Sequence, residues 1–221
     1  MDCGWNVGET AAYTAAQVNS FFPDARPVDP AYLAGFVGPA LERVEYCFRH
    51  VAYRSYSEDG RAKFDVLHSD QYCAYLYFLA NTVYRREGDP SVATKLYYLN
   101  KTLHAFNCMY DTELPDIFLI AHAVGTVLGK ARYSNYLVVL HNCTVGSLSG
   151  RYPTLGERLI LCAGSSVIGD CRVGDNVMLA PGCTVIRQEI PSNTLVVPAS
   201  GVELRPNSER AIGTFFRVAQ L

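Results

Sequence analysis

The chain has 221 residues, of which 49% are hydrophobic, and a formal net charge of −2 at pH 7. This composition supplies enough apolar surface for one large domain or two small ones, and the near-neutral charge gives no electrostatic case for nucleic-acid binding. No apolar run approaches the roughly 20 residues that cross a bilayer. The eight cysteines include no C-x-x-C pair. We therefore expect buried, reduced thiols in a cytoplasmic protein without a zinc site.

The first half of the chain is predicted to be helical. The pairs Asp29–Pro30 and Asp89–Pro90 are typical helix starts, an N-cap followed by proline at the first helical position. Ser69 is the expected N-cap of another helix, and Gly88 is expected to end it. These segments are rich in Tyr, Leu and Ala with few charges. This pattern predicts that other helices or another subunit cover both faces.

A period of six residues organises the second half of the chain. Within it, an aliphatic residue recurs at every sixth position, and a small or apolar residue follows four positions after each of the first five. Neither a helix nor a plain strand produces this period, whereas a solenoid that turns through short flat faces does. The predicted inward residues are Leu155, Leu161, Val167, Val173, Leu179 and Val185.

Upstream of these positions the repeat is less regular. Ten residues instead of six separate Val145 from Leu155, so four residues are inserted there. The insertion falls in the Gly- and Ser-rich segment 146–154, which predicts a functional loop at the edge of the prism. The repeat extends further back with a register that could shift by one residue. Its predicted inward residues are Ala121, Val127, Tyr133, Val139 and Val145.

Four stretches of the second half resemble the hexapeptide-repeat acyltransferases, and most closely the serine O-acetyltransferases. They are IAHAVGTVLGK (120–130), NCTVGS (142–147), GRYP (150–153) and CAGSSVIGDCRVGDNVMLAPGCTV (162–185). The resemblance implies an α+β fold, with an all-α N-terminal domain followed by a left-handed parallel β-helix of hexapeptide repeats.

The composition of the chain changes near Leu114–Pro115. We therefore place the α-helical domain at 1–113, the β-helix at 114–200 and a C-terminal tail at 201–221. The helical domain is expected to support oligomerisation and the acceptor site.

The same resemblance implies transfer of an acetyl group from acetyl-CoA, the co-substrate, to the hydroxyl of L-serine or a similar small acceptor, as in cysteine biosynthesis. In that family the β-helix forms trimers, and acetyl-CoA lies in the groove between adjacent prisms. We expect a trimer or a dimer of trimers here, with no metal. An alcohol is a weak nucleophile while it keeps its proton, so the reaction needs a base, and neutral imidazole suits this role near pH 7.

The histidine that matches the family's catalytic residue is His122. His141 lies in the same repeat region and is a second catalytic candidate, although the family pattern does not require histidine there. Serine acetyltransferases usually carry an acidic residue directly before the catalytic histidine, where this chain has Ala121. Another group must therefore orient the imidazole. Asp111, close to where the family has an active-site aspartate, and Glu113 are the nearest candidates in sequence, unless both belong to a solvated linker.

Acceptor binding is implied for three residues. Arg151 matches a loop arginine of the family whose planar fork holds the acceptor's carboxylate. Tyr152 takes the place of the family's second histidine and could donate a hydrogen bond. Asp89 resembles an aspartate that contacts the acceptor amine, although a plain N-cap role also explains it. The residues expected to line the coenzyme groove are Gly146, Ser147, Ser149, Gly150, Ala163, Gly164, Ala180 and Pro181.

Two other functions remain open. The missing acid before His122 and the missing second histidine favour the same acetyl-CoA chemistry on a sugar hydroxyl or amine, as in surface polysaccharide synthesis. A non-catalytic oligomeric scaffold is compatible with the Tyr-rich helices, although His122 and the inserted loop argue against it. A metal-dependent hydratase would need three histidines, and the repeat region contains two.

Overall fold

The computed structural model of the chain describes residues 1–208 and 210–217, and its first half is helical. The helices are α1 (Val7–Phe21), α2 (Pro30–Phe48), α3 (Ser69–Arg85) and α4 (Pro90–His104). Short strands β1 (Asp2–Cys3), β2 (Ser57–Glu58) and β3 (Arg61–Phe64) form a small sheet with β3 in the middle, next to α2. Every residue of α3 from 71 to 83 is buried, so this helix is the centre of the helical half.

The helix starts agree with the predicted signals in two of three cases. The pairs Asp29–Pro30 and Asp89–Pro90 start α2 and α4, and each aspartate side chain accepts a backbone N–H of the first turn. The predicted N-cap role of Ser69 is wrong. Ser69 is already the first residue of α3, and His68 occupies the cap position without a side-chain hydrogen bond to the helix.

The second half forms a parallel β-helix of about four coils, which confirms the predicted order of a helical part followed by a solenoid. Its elements are β4 (Phe118–Ile120), β5 (Val127–Leu128), β6 (Leu137–Val139), β7 (Thr144–Gly146), β8 (Thr154–Leu155), β9 (Ile160–Leu161), β10 (Ser166–Ile168), β11 (Arg172–Val173), β12 (Met178–Leu179), β13 (Thr184–Ile186), β14 (Glu189–Ile190), β15 (Thr194–Ala199) and β16 (Gly201–Pro206). A short helix, α5 (Arg210–Gly213), follows.

The strands make three flat faces. Face 1 contains β4, β6, β9, β12 and β15, with β16 added antiparallel at its end. Face 2 contains β5, β7, β10 and β13, and face 3 contains β8, β11 and β14. The chain passes from face 1 to face 2 to face 3 in each coil. Face 2 is therefore bordered by one corner shared with face 1 and another shared with face 3.

The six-residue repeat forms the core of the solenoid. Each of the six aliphatic residues predicted to point inward from Leu155 to Val185 is at most 4% exposed. Parallel pairing stacks these residues in columns, so Val167 is paired with Val145 on one side and Val185 on the other. The small inward positions also agree with the prediction. They include free, buried thiols at Cys143, Cys171 and Cys183.

The predicted register is wrong by one residue in the first coil. Leu128, and not Val127, is paired with Val145. Leu128 is 1% exposed, whereas Val127 is 36% exposed. The possible one-residue shift noted in the sequence is therefore real on face 2.

The same shift occurs on face 1, where Ile120 instead of Ala121 is paired with Val139. Its cause is the length of a corner. Residues 121–126 connect β4 to β5, whereas the corresponding corner of the second coil has only residues 140–143. Two extra residues in the first corner move both flanking strands out of the period of six.

The inserted segment between β7 and β8 is a short hairpin, as expected for a loop at the edge of the prism. The backbones of Leu148 and Arg151 exchange two hydrogen bonds of 3.1 Å. The two residues between them, Ser149 and Gly150, have φ of 53° and 72°. This is the left-handed pair of conformations that a two-residue hairpin turn requires. The hairpin lies at the corner between faces 2 and 3.

The end of the described chain returns to the helical half. The backbone N–H of Ala52 donates to the carbonyl of Phe215 over 2.8 Å, and the backbone of Arg217 donates to the carbonyl of His50. In the portions of the chain that the structure covers, none of the helices has both the length and the apolar composition required to cross a membrane.

Candidate active site

His122 lies in the long corner of the first coil, residues 121–126, at the edge between faces 1 and 2. Its side chain is exposed, and its backbone is in the left-handed region, with φ of 57°. The backbone N–H of His122 donates to Oδ2 of Asp70 over 3.1 Å. Asp70 belongs to the first turn of α3, so the helical half contacts the histidine's backbone directly.

Two further contacts hold this corner in place. The N–H of Gly125 donates to the carbonyl of Ala105, directly after α4, over 3.2 Å. The carbonyl of Val124 accepts the N–H of Asn142 in the second coil over 2.9 Å. A Cβ atom on Gly125 would lie 2.0 Å from Oδ1 of Asn142, and φ is 74° there, so a side chain at this position would be strained and would force Asn142 to move. The corner is thus attached to α3, to α4 and to the next coil.

The structure brings the two candidate catalytic histidines together. His141 lies in the corresponding corner of the second coil, and its ring centroid is 6.3 Å from that of His122. Nδ1 of His141 is buried without a hydrogen-bond partner among the described residues. The two imidazoles therefore share one edge of face 2, with His122 the more accessible of the pair.

Sequence reasoning missed two groups beside this corner. His104, the last residue of α4, places Nδ1 2.8 Å from Oδ1 of Asn100. Burial lowers the pKa of His104, and the negative charge of Asp70 partly opposes this shift. Asp70 is 52 residues away from His122 in the sequence and belongs to no motif. Only the packing of α3 against the first coil brings it to the site.

The acids that were predicted to orient His122 lie elsewhere in the chain. Oδ2 of Asp111 is 2.9 Å from Nζ of Lys130, which follows β5 at the corner between faces 2 and 3. Glu113 forms an ion pair with Arg85. Within the described residues, no hydrogen bond joins either carboxylate to His122. The Asp111–Lys130 pair lies at one edge of face 2, whereas His122 and His141 lie at the opposite edge.

The hairpin residues predicted to bind the acceptor are at the far edge of face 2. Nη1 of Arg151 lies 3.2 Å from Oδ2 of Asp170, and the two side chains are 71% and 47% exposed. Tyr152 is 49% exposed. The hydroxyl of Ser149 accepts a hydrogen bond from Arg187 over 3.3 Å. An ion pair this exposed is weak, so Arg151 can exchange its partner for another carboxylate.

Asp89 is far from the histidines within one chain. It caps the start of α4, whereas the corner 121–126 contacts the residue directly after the end of that helix. At about 1.5 Å per residue, the 15 residues of α4 span roughly 22 Å. The side chain of Asp89 accepts the N–H of Ser91, and its backbone N–H donates to the hydroxyl of Tyr32.

The residues expected to line the coenzyme groove lie along the two edges of face 2. One group follows β9 and β12, on the same edge as His141, and the other lies at the end of β7 and in the hairpin. Between these edges, the outward apolar side chains of Val127 and Ile186 are 36% and 47% exposed. The first group is Ala163, Gly164, Ala180 and Pro181, and the second is Gly146, Ser147, Ser149 and Gly150.

Among residues 1–208 and 210–217, no three His, Cys, Asp or Glu side chains are grouped so that they could hold a metal ion. The arrangement of the site suits proton transfer at an exposed imidazole. That imidazole lies on the rim of a flat, partly apolar face, with hydrogen-bonding groups along both rims.

A helical domain followed by a parallel β-helix of this form is the architecture of solved serine acetyltransferases. The enzyme from Neisseria gonorrhoeae superimposes with a TM-score of 0.72 at 18% identity, covering 92% of this chain and 80% of that one. A serine acetyltransferase solved in complex with CoA gives a TM-score of 0.69 at 14% identity, covering 91% and 86%. At these identities the likeness establishes the fold.

Curated relatives bear the same name. Serine acetyltransferase of Synechococcus elongatus is 30% identical over 117 residues, which cover 51% of this chain and 48% of the relative. That of Helicobacter pylori is 26% identical over 128 residues, covering 56% and 74%. The chain spans about half the length of the first curated relatives that it matches. A search against protein-family profiles finds no match. The resemblance to serine O-acetyltransferases seen in the sequence is thereby confirmed.

Proposed function

We propose that this chain is an acetyl-CoA-dependent acyltransferase that acetylates the hydroxyl of L-serine or of a similarly small acceptor. The observation that carries the proposal is the exposed imidazole of His122, in a corner attached to α3, α4 and the second coil. Relatives named serine acetyltransferase, and a structural neighbour of that name solved in complex with CoA, support the choice of substrates. The eight free cysteines are in keeping with a reducing compartment such as the cytoplasm.

In this mechanism His122 is the base. Its neutral imidazole takes the proton of the acceptor hydroxyl as the oxygen attacks the thioester carbonyl. The C–O bond forms, the carbonyl oxygen gains negative charge, and the C–S bond then breaks. The departing CoA thiolate takes the proton back from the imidazolium, so protons balance within one turnover. We assign His141 a supporting role, because its Nδ1 is buried whereas His122 is exposed.

We further propose that neighbouring copies of the chain complete the site, as a trimer or a dimer of trimers. In one copy the hairpin lies across face 2 from His122, and Asp89 lies at the distant end of α4. Packing the β-helices of two copies side by side would bring the hairpin of one copy towards the corner 121–126, with His122, of the next copy. Arg151 would then hold the acceptor's carboxylate, Tyr152 would donate a hydrogen bond, and Asp89 would receive the ammonium group.

A sugar acceptor is the second candidate, and one specific observation favours it. Arg151 forms an exposed ion pair with Asp170 in the same chain, which the carboxylate of an acceptor would have to displace at a small cost. Together with Ala121 and Tyr152 in place of an acid and a histidine, this weakens the case for a carboxylate-bearing acceptor. A sugar hydroxyl or amine carries no carboxylate and would not need the guanidinium group of Arg151 for its binding.

The two acceptor classes can be separated with the full-length chain. We would incubate it with acetyl-CoA and, one at a time, L-serine, homoserine and amino sugars, and follow the release of free CoA thiol. Release with serine or homoserine is the expected result. Release with a sugar alone would overturn the serine assignment and support the second candidate. If no acceptor gives release and calorimetry detects no CoA binding, the chain is a scaffold and the enzymatic proposal fails.

A further inference from the structure

The corner 121–126, which carries His122 and is called the histidine corner below, is held in part by a residue from the helical half of the chain. We propose that Asp70 is the positioning residue for His122, which rests on the proposed base role of His122. The carboxylate of Asp70 would hold the backbone from which the imidazole projects. Its contact is with the backbone of His122 and not with the ring, so it would orient the imidazole indirectly in a chain that has Ala121 directly before the histidine.

The backbone conformation of His122 is the first reason for this assignment. A residue other than glycine in the left-handed region is strained and persists only where its surroundings hold it. His122 has φ of 57°, and its N–H has one partner, Oδ2 of Asp70, at 3.1 Å. A hydrogen bond to a charged acceptor is stronger than one to a neutral group. Asp70 is therefore the contact that acts directly on the backbone of the histidine, in addition to those that hold the rest of the corner.

The position of Asp70 on helix α3 is the second reason for this assignment. It belongs to the first turn of α3, and all residues of that helix from 71 to 83 are buried. The carboxylate thus projects from the helix at the centre of the helical half. Burial raises the pKa of Tyr56 and Cys73, and the charge of Asp70 adds to that rise. Burial lowers the pKa of His104, and the charge of Asp70 opposes that shift. Asp70 therefore lies at the junction of α3, α4 and the first coil.

The chemistry of the contact sets the choice of variants. The bond to His122 uses one carboxylate oxygen, and an asparagine can present its amide oxygen in the same place. Asp70→Asn should therefore keep the contact, and Asp70→Ala should remove it. Both changes remove the same charge from the N-terminal turn of α3, so the loss of its interaction with the helix dipole is common to the two. The difference between the two variants therefore reports on the contact with His122.

A matched control is available five residues upstream. Oδ1 of Asp65 accepts the backbone N–H of Leu67 over 2.8 Å, which is the same kind of bond, within a local turn before α3. Asp65→Ala removes one such bond, and the partner it frees lies outside the histidine corner. This variant should leave kcat unchanged.

We would measure kcat and KM by CoA thiol release for the full-length chain and the three variants. Asp70→Ala is expected to lower kcat by about 10- to 100-fold, because small displacements of a catalytic group have effects of this size. The KM for acetyl-CoA should stay within about twofold, and Asp70→Asn should recover kcat to within about threefold of the parent. An equal loss in both Asp70 variants, or no loss in Asp70→Ala, would overturn the proposal.

A second readout does not depend on turnover. Amide hydrogen exchange at His122 should be faster in Asp70→Ala and close to the parent value in Asp70→Asn and Asp65→Ala. If the parent chain releases no CoA with any acceptor, the proposed function fails while this measurement still decides whether Asp70 holds the corner. Unchanged exchange at His122 in Asp70→Ala would overturn the positioning role, whatever the activity.

Discussion

The imidazole rings of His122 and His141 lie 6.3 Å apart, centroid to centroid, in corresponding corners of consecutive coils. In the part of the chain that the structure describes, no direct hydrogen bond joins the two rings. His122 is exposed, while one ring nitrogen of His141 is buried without a partner. The two residues therefore have unequal access to a substrate, and their substitutions should have unequal effects.

His122→Ala should lower kcat by about 10²- to 10⁴-fold, the usual contribution of a general base, with CoA affinity nearly unchanged. His141→Asn should lower kcat by less, about 10-fold or under, because it alters the surroundings of the base and not the base itself. Thiol release gives kcat, and calorimetry gives the CoA affinity. Turnover that survives in His122→Ala would place the base elsewhere, with His141 as the first residue to test.

The ion pair between Arg151 and Asp170 gives a prediction about the acceptor. Arg151→Ala should raise the KM for serine by about 10-fold or more, because a hydrogen bond to a charged group contributes roughly 1.5–3 kcal/mol. Asp170→Asn frees the guanidinium and should lower that KM by up to about fivefold, in line with the small energy of an exposed pair.

If the chain accepts a sugar in addition to serine, the KM for that sugar provides the control for these two variants. It should not respond to either change, since a sugar presents no carboxylate to the guanidinium. If Arg151→Ala leaves the KM for serine unchanged, Arg151 does not bind the acceptor.

The corrected register of the first coil can be tested by stability. Leu128→Ala should lower the free energy of unfolding by about 2–5 kcal/mol, because Leu128 is 1% exposed and its removal leaves a cavity. Val127→Ala, the matched control one residue away, should change it by about 0.5 kcal/mol or less. Urea unfolding measures both. A larger loss for Val127 than for Leu128 would restore the register that the plain period of six predicts.

The regular coils could be predicted from sequence because each inward residue is determined by its own position in the repeat. From Leu155 to Val185 every such residue is buried as expected. The register of the first coil could not be predicted in the same way. The corner 121–126 has two extra residues, but aliphatic residues still occur at the spacing of six, so the sequence pattern does not reveal the insertion. The period carries through to Val127 by coincidence, since Val127 and Leu128 are both apolar.

Two other features of the structure were not predicted from the sequence. Helix α1 lies outside the segments predicted to be helical, although its capping box of Asn6 and Glu9 is readable as an N-x-x-E pattern. The contact of Asp70 with His122 has no local signal at all. It arises from the packing of α3 against the first coil, so only the tertiary structure reveals it.

The close contact between Gly125 and Asn142 leads to a further prediction about stability. Gly125 and Gly150 have nearly the same backbone, with φ of 74° and 72°, but different surroundings. A Cβ on Gly125 would lie 2.0 Å from Oδ1 of Asn142, whereas a Cβ on Gly150 would meet nothing within 4 Å. Gly150→Ala should cost about 1 kcal/mol for the left-handed backbone alone, and Gly125→Ala clearly more.

The first readout is the midpoint of urea unfolding for both glycine variants. Turnover should fall in Gly125→Ala, because the displaced corner carries His122. Equal midpoints for the two variants would show that the corner adjusts without strain, and that Asn142 gives way to the added methyl group.

The half-buried His104 should make the stability of the fold depend on pH. Burial lowers the pKa of His104 below its ordinary value of 6.5. Below pH 6.5 the unfolded chain takes up a proton that the folded chain does not. Folding stability from this residue is therefore complete above pH 6.5 and is lost as the pH falls from 6.5 towards the lowered pKa. His104→Gln should remove that loss.

Urea unfolding of the parent and of His104→Gln at pH 7.5 and 5.5 tests this directly, because the other four histidines are common to both chains. The parent should lose more stability between the two pH values than the variant. Asp70→Asn should make the parent's loss steeper, since the carboxylate of Asp70 opposes the lowering of the pKa of His104. Equal losses in the parent and His104→Gln would mean that His104 is protonated as readily in the folded chain as in the unfolded one.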